Sequence, residues 1–175
     1  MANGWAIVST GRHPDQKMAP AISASTGSTL AAVVSQDLDR ARSFANKHGA
    51  KAAYDDFDQM LQDSNVDVVY IASPNSFHAT QTIKAAASGK HVLVEKPMAL
   101  SIQDCKAMID ACERASVRLG VGFHLRNHPG HHALKQHIKA GGLGTISLAQ
   151  AHFGGGARGL EVPLPRPSLQ QWWAD

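Results

Sequence analysis

Neither a long apolar run nor a block of like charge occurs anywhere in this chain of 175 residues. A bilayer-spanning helix needs about 20 consecutive apolar residues, and no stretch approaches that length. Met1-Ala2-Asn3-Gly4 also lacks the basic stretch and apolar core of a secretory leader, so a soluble, cytoplasmic protein is expected. Lysine and arginine number 17 against 14 acidic residues, a formal net charge of +3, but the basic residues are scattered rather than clustered. That pattern suits a small phosphate-bearing ligand and argues against nucleic acid or a membrane surface as partner. Cysteine is scarce too. Cys105 and Cys112 fall seven positions apart in a helical pattern, on one face but too far along it to bridge, so both are expected to be reduced. Metal motifs are missing despite ten histidines: His128 with His131 or His132 has helical spacing, yet no H-E-x-x-H or cysteine pair supplies a third ligand, and no metal is expected. Gly154-Gly155-Gly156-Ala157-Arg158-Gly159 lacks the Gly-Lys-Ser/Thr of a phosphate loop and reads as a crossing segment; Trp172 and Trp173 read as anchors of something larger.

What is present is an alternation of short apolar runs with amphipathic stretches. Trp5 to Ser9 and Leu30 to Val34 read as buried strands, with a helix between them after Pro14. Leu38 to His48 reads as a helix closed by Gly49, and Val66 to Ala72 as a strand. Phe77 to Ser88 reads as a helix closed by Gly89. His91 to Val94 is a strand, Ser101 to Ala115 a helix and Arg118 to Phe123 a strand. Such alternation implies a doubly wound α/β fold, a mostly parallel Rossmann-type sheet with helices on both faces. With 43% hydrophobic residues the length allows one full domain, over 1–126. Residues 127–175 are expected to hold a connecting helix and, at Thr145 to Phe153, the first strand of an α+β second domain that the chain does not complete.

In open sheets of this class ligands gather beyond the carboxyl ends of the strands, which selects the residues to inspect. Ser9-Thr10-Gly11-Arg12 after the first strand supplies part of a pyrophosphate turn, with serine at the first glycine position of G-x-G-x-x-G. His13-Pro14 follows where that motif has neither. After the second strand comes Ser35, where an acidic residue would select a ribose diol; Arg40 can reach a 2′-phosphate beside it, and Asp37 reads as the N-cap of the next helix. NADP(H) is therefore favoured, with NAD(H) as the alternative. Glu95-Lys96-Pro97 places a lysine at the sheet mouth, able to hold an oxygen and move its proton, with proline restricting the backbone that aims it.

These features, in order, resemble the Gfo/Idh/MocA oxidoreductase family. The matching segments are the Trp5 strand with its turn, ARSFANKHG from Ala41, DVVYIASPNSFH from Asp67, GKHVLVEKP from Gly89, GFHLR from Gly122, and Gly141-Gly142-Leu143-Gly144. Within the family, Ser35 with Arg40 and the run His124-Leu125-Arg126-Asn127 are most similar to the NADPH-dependent 1,5-anhydro-fructose reductase subgroup. The resemblance implies hydride transfer between a nicotinamide cofactor and a sugar-type substrate, with Lys96 catalytic. It implies that Ser9, Thr10, Gly11 and Arg12 line the pyrophosphate and that Ser35 and Arg40 hold the adenosine ribose. Ser73, Pro74, Asn75 and His78 would pass beside the cofactor, Glu95 and Lys96 would flank the nicotinamide, and Arg126 would lie at the cofactor or substrate edge. A homo-oligomer, and turnover only with a further substrate-binding half, are implied as well. A non-catalytic dinucleotide sensor or scaffold is the alternative function.

Overall fold

The computed structural model describes residues 2–152. The chain divides into two compact units, Met1–Phe123 and His124–Asp175.

The first unit is built on six parallel strands: β1 (Asn3–Val8), β2 (Ser28–Val34), β3 (Ala52–Tyr54), β4 (Val68–Ile71), β5 (His91–Val94) and β6 (Leu119–Val121). Their order is β3-β2-β1-β4-β5-β6, with every pair parallel. The strand order reverses between β1 and β4, where the two crossovers leave for opposite sides and open a crevice at the carboxyl ends.

Alternation along each strand divides the core between the two faces. Ala6, Val8, Ala32, Val34, Val69, Ile71, Val92 and Val94 face one side. They pack there on Met60 and Leu61 of α3 (Phe57–Leu61), Ala85 of α4 (His78–Ala87) and Met108 of α5 (Ile102–Arg114). Ile7, Val33 and Tyr70 face the other side, under α1 (Ala19–Ala24) and α2 (Leu38–His48). A five-residue π-helix, Pro14–Met18, leads into α1. Cys105 and Cys112 both lie in α5 as free thiols, Cys112 buried against Ala86 and Ala111.

Local chemistry sets the helix ends. The Asp37 carboxylate accepts from the N–H groups of Asp39 and Arg40 at 2.9 and 3.0 Å, capping α2, and Gly49 ends that helix at φ 73°, a left-handed turn that glycine adopts without steric cost. Asp56 and Ser101 cap α3 and α5 in the same way, accepting from Gln59 and Asp104 N–H at 2.8 and 3.0 Å.

Two elements exceed the sequence reading and one falls short of it. β3 and α3 occupy the stretch between Gly49 and Val66, where no element was expected. The strand expected from Thr145 does not form over 145–152: Ile146 and Leu148 alternate as a strand would, but their side chains are 49% and 74% exposed and no neighbouring strand pairs with them among the described residues. A single strand without a ladder has no backbone partner to fix it. Phe153, the Gly154 to Gly159 segment, Trp172 and Trp173 lie outside the described residues.

In the second unit, a 3-10 turn at His124–Asn127 precedes α6 (Pro129–Lys139). His128 caps α6, its Nδ1 accepting from Gly130 N–H at 3.2 Å, and His131 Nδ1 lies 2.8 Å from the Leu125 carbonyl oxygen. These histidines therefore serve the helix start. Among the described residues no three histidine, cysteine or acidic side chains gather as a metal site would require.

Candidate active site

The first strand ends in the turn Ser9 to Arg12. Ser9 takes φ 97°, a region that glycine enters freely and other residues at a cost, which explains why a glycine is the usual choice there. Its N–H donates to the Val34 carbonyl at 2.9 Å, and its hydroxyl accepts from Gly11 N–H at 3.3 Å. The chain turns helical at Arg12, whose Nε donates to Gln16 at 3.1 Å. Asp15 in this helix takes Lys47 at 2.7 Å and His48 at 2.7 Å, which ties the turn's helix to the end of α2 and holds the Asp15 carboxyl below its ordinary range.

At the end of β2, Ser35 is 7% exposed and its N–H donates to the Tyr54 carbonyl at 3.1 Å, so β3 supports this corner. Arg40 is exposed, its Nε 3.6 Å from the Asp37 carboxylate. Capping by the Arg40 N–H, against the opposing effect of burial, keeps the Asp37 carboxyl low, so an anionic side chain and an exposed guanidinium share this edge.

Beyond β4, Ala72 N–H donates to Val8 O at 3.1 Å and carries the chain across the crevice into Ser73, Pro74 and Asn75, all half-buried. The Ser73 hydroxyl donates to Gln81 at 2.6 Å. His78 was expected beside the ligand, but its ring is 1% exposed: Nε2 lies 3.0 Å from Ser73 O and Nδ1 2.9 Å from Pro97 O. It supports the loop from beneath and leaves no atom to face a ligand.

The turn after β5 carries Glu95, Lys96 and Pro97, with a cis bond before the proline. Glu95 N–H donates to Ile71 O at 2.9 Å. The Glu95 side chain is held by groups that sequence reading missed. Tyr70, fully buried in β4, donates its hydroxyl to Glu95 Oε1 at 2.9 Å, and His13 Nε2 stands 3.3 Å from the same oxygen. Burial and the adjacent carboxylate push the Tyr70 phenol far above its ordinary range, so it remains a donor. A local signal for either residue is lacking: Tyr70 looks like strand core, and His13 only like a departure from the turn motif. Lys96 is exposed, and no partner for its ammonium occurs among the described residues. Lys90, at the opposite end of β5, is by contrast spent on the carbonyls of Asp63 and Val66 at 2.9 and 2.7 Å.

The first unit thus gathers Ser9 to Arg12, Ser35, Arg40, Ser73 to Asn75, Glu95 and Lys96 at one end of the sheet. Arg126 belongs to the second unit and is exposed.

A family model described as "Oxidoreductase family, NAD-binding Rossmann fold" matches residues 4–123. A 1,5-anhydro-D-fructose reductase from Ensifer adhaerens is 32% identical over 170 residues, covering 97% of this chain and 48% of that protein. An aldose-aldose oxidoreductase from Caulobacter crescentus, solved with glycerol, superposes with a TM-score of 0.77 at 32% identity, over 82% of this chain and 44% of that one. A scyllo-inositol dehydrogenase from Lactobacillus casei, solved with NAD(H) and scyllo-inositol, gives 0.77 at 28% identity, over 83% and 43%. The chain therefore spans a little under half the length of these relatives. No helix among the described residues is long and apolar enough to cross a membrane. With a family model matching residues 4–123, the chain belongs to the Gfo/Idh/MocA oxidoreductase family, whose NAD-binding Rossmann domain it contains.

Proposed function

We propose that this chain is the dinucleotide-binding half of an oxidoreductase that moves a hydride between NADP(H) and a sugar or related polyol or ketone. The observation that carries the reading is the state of Lys96: exposed at the sheet mouth, without a partner for its ammonium among the described residues, on a turn held by protein bonds to the Glu95 side chain and the Pro97 carbonyl. A side chain that stabilised the fold would bury its stem or pair its charge, as Lys90 does.

The residues present fit a dinucleotide. Gly11 N–H, in a turn that leads into a helix, is met only by the Ser9 hydroxyl at 3.3 Å among the described residues, so it is available to a pyrophosphate oxygen. Ser9, Thr10, Gly11 and Arg12 would hold the pyrophosphate, Ser35 and Arg40 the adenosine ribose, and Ser73, Pro74 and Asn75 the middle of the cofactor. When bound, the nicotinamide supplies the hydride donor or acceptor. Lys96 holds the substrate oxygen and gives or takes its proton as that oxygen changes between carbonyl and hydroxyl. Arg126 is assigned to the cofactor or substrate edge by its place in the family motif. Since relatives are about twice as long, turnover is proposed for the whole protein.

NADPH is preferred because Ser35 puts no fixed charge at the ribose and Arg40 offers a charge-assisted bond, worth roughly 1.5–3 kcal/mol, to a 2′-phosphate. Asp37 opposes part of this by holding Arg40 at 3.6 Å. Calorimetric titration with NADPH and NADH tests the assignment. NADPH is expected to bind more tightly, with the difference abolished in Arg40→Ala; equal affinities, or an NADH preference indifferent to Arg40, refute it.

A further inference from the structure

We propose that Tyr70 and His78 are positioning residues for Lys96, fixing from beneath the two ends of the turn that carries it. This rests on the role given to Lys96 above. Tyr70 has no exposed surface and donates to Glu95 Oε1 at 2.9 Å; His78, 1% exposed, sets Nδ1 2.9 Å from Pro97 O. A buried polar group is costly unless hydrogen-bonded, so each side chain is committed to its contact. Both commitments fall on the same three residues, one at each end, and the residue between them is the exposed lysine.

Glu95 joins the parts. Oε1 takes the Tyr70 hydroxyl and lies 3.3 Å from His13, while Oε2 accepts from Lys96 N–H at 3.2 Å. At Gly122 a Cβ would stand 2.8 Å from Oε1, so only glycine leaves the carboxylate its place. One carboxylate therefore meets β4 itself and the segments that follow β1, β5 and β6. With both oxygens taken by protein groups it is poorly suited to bind cofactor, and its work is to orient the Lys96 backbone. On its other ring nitrogen His78 meets Ser73 O at 3.0 Å, so one ring ties the loop after β4 to the lysine turn.

The test separates the nicotinamide end from the adenosine end. NADPH and the 2′-phosphate of ADP-ribose, which lacks the nicotinamide ring, are titrated against the full chain, Tyr70→Phe, Glu95→Gln, the corresponding double variant and His78→Gln. Tyr70→Phe keeps the buried ring and removes only the donor. Its dissociation constant for NADPH is expected to rise about tenfold, the scale of a lost bond to a charged group. Affinity for the nicotinamide-free ligand should stay within about twofold, and the double variant should lose no more than the weaker-binding single variant. His78→Gln should show the same selective loss. Equal losses for both ligands, or losses that multiply in the double variant, would assign these residues to the fold alone and overturn the proposal, as would unchanged NADPH affinity. Failure of the unmodified chain to bind either ligand would instead remove the cofactor reading on which the proposal stands.

Discussion

Replacing Gly122 with alanine tests the packing around Glu95 more directly than any charge change. The added Cβ would lie 2.8 Å from Glu95 Oε1, closer than carbon and oxygen tolerate, with Cδ in a tight contact at 3.1 Å and Oε2 at 3.4 Å. Ordinarily the end of a glutamate side chain swings away at little expense. Here three bonds oppose that motion: Tyr70 Oη at 2.9 Å, Lys96 N–H at 3.2 Å and the His13 contact at 3.3 Å. Swinging the carboxylate aside to relieve the clash strands the Tyr70 hydroxyl, which has no exposed surface. A buried donor left unpaired costs about 1–3 kcal/mol, and that is the expected destabilisation. For a unit of this size it corresponds to a fall in Tm of roughly 3–15 °C, readable by calorimetry or circular dichroism. Gly120→Ala is the control, since a Cβ there meets only the Leu93 methyl at 3.3 Å and the Val92 carbonyl oxygen at 3.9 Å. It should shift Tm little. In Tyr70→Phe there is no hydroxyl to strand, so the further cost of Gly122→Ala should shrink, a coupling that only contact between the sites produces. Equal effects of alanine at 120 and 122, or strict additivity with Tyr70→Phe, would show that Glu95 is not wedged as described.

Three further outcomes are expected. In a turnover assay of the whole protein, Lys96→Ala should lower kcat by roughly two to four orders of magnitude, as for a lost general acid or base, while Tm stays put; lost stability with preserved turnover refutes its role. Asp15, Asp37 and Asp63 all have carboxyls held below their ordinary values, Asp15 mainly by Lys47 and His48, Asp37 mainly by the Arg40 N–H, and Asp63 by Asn65 and Tyr54 against its own burial. A folded-state value below the unfolded one gives stability that is present above the unfolded value, about 3.9, and is lost as pH falls through the folded one. Stability should therefore hold from neutrality to about pH 4 and fall below it, with a shallower fall in Asp15→Asn, measured by urea midpoints against pH. Burial pushes the Cys112 thiol up, so thiol alkylation of the folded protein should mark half-exposed Cys105 first; mass spectrometry of the modified peptides checks the order.

The parallel sheet was legible because its signals are local. Leu38–His48 carries its own cap and terminator in Asp37 and Gly49, and His91–Val94 is an apolar run between turn residues; both were read with the ends observed. β3 is three residues of Ala-Ala-Tyr at the sheet edge, too short to show a period and without a β-branched residue. α3 is a five-residue helix, too short for an apolar stripe, and its one clear signal is the Asp56 cap. At 145–152 the same limit acts in the other direction. Alternation at Ile146 and Leu148 satisfies a strand's pattern, but pattern describes one chain segment and a strand requires two.

The site divides along the same line. Residues that would face a ligand, such as Gly11, Ser35, Asn75 and Lys96, lie in short segments whose turn chemistry is written in sequence. Residues that hold them are found only in three dimensions: Tyr70 reaches 25 positions ahead to Glu95, and His78 reaches 19 to Pro97. Their cost shows that they are not incidental. An apolar side chain in either place would fill the same space without a polar group to satisfy, and of the three buried polar residues Ser35 stands directly beyond β2 and His78 opens α4, both where the crevice opens, while Thr82 lies one turn further along α4. The Tyr70 hydroxyl points to the same end. Two of these three, together with the Tyr70 hydroxyl, thus lie beneath the carboxyl ends of the strands. Stability alone gives no reason to spend buried polar groups on the two ends of one turn, whereas the positioning proposed for Lys96 does.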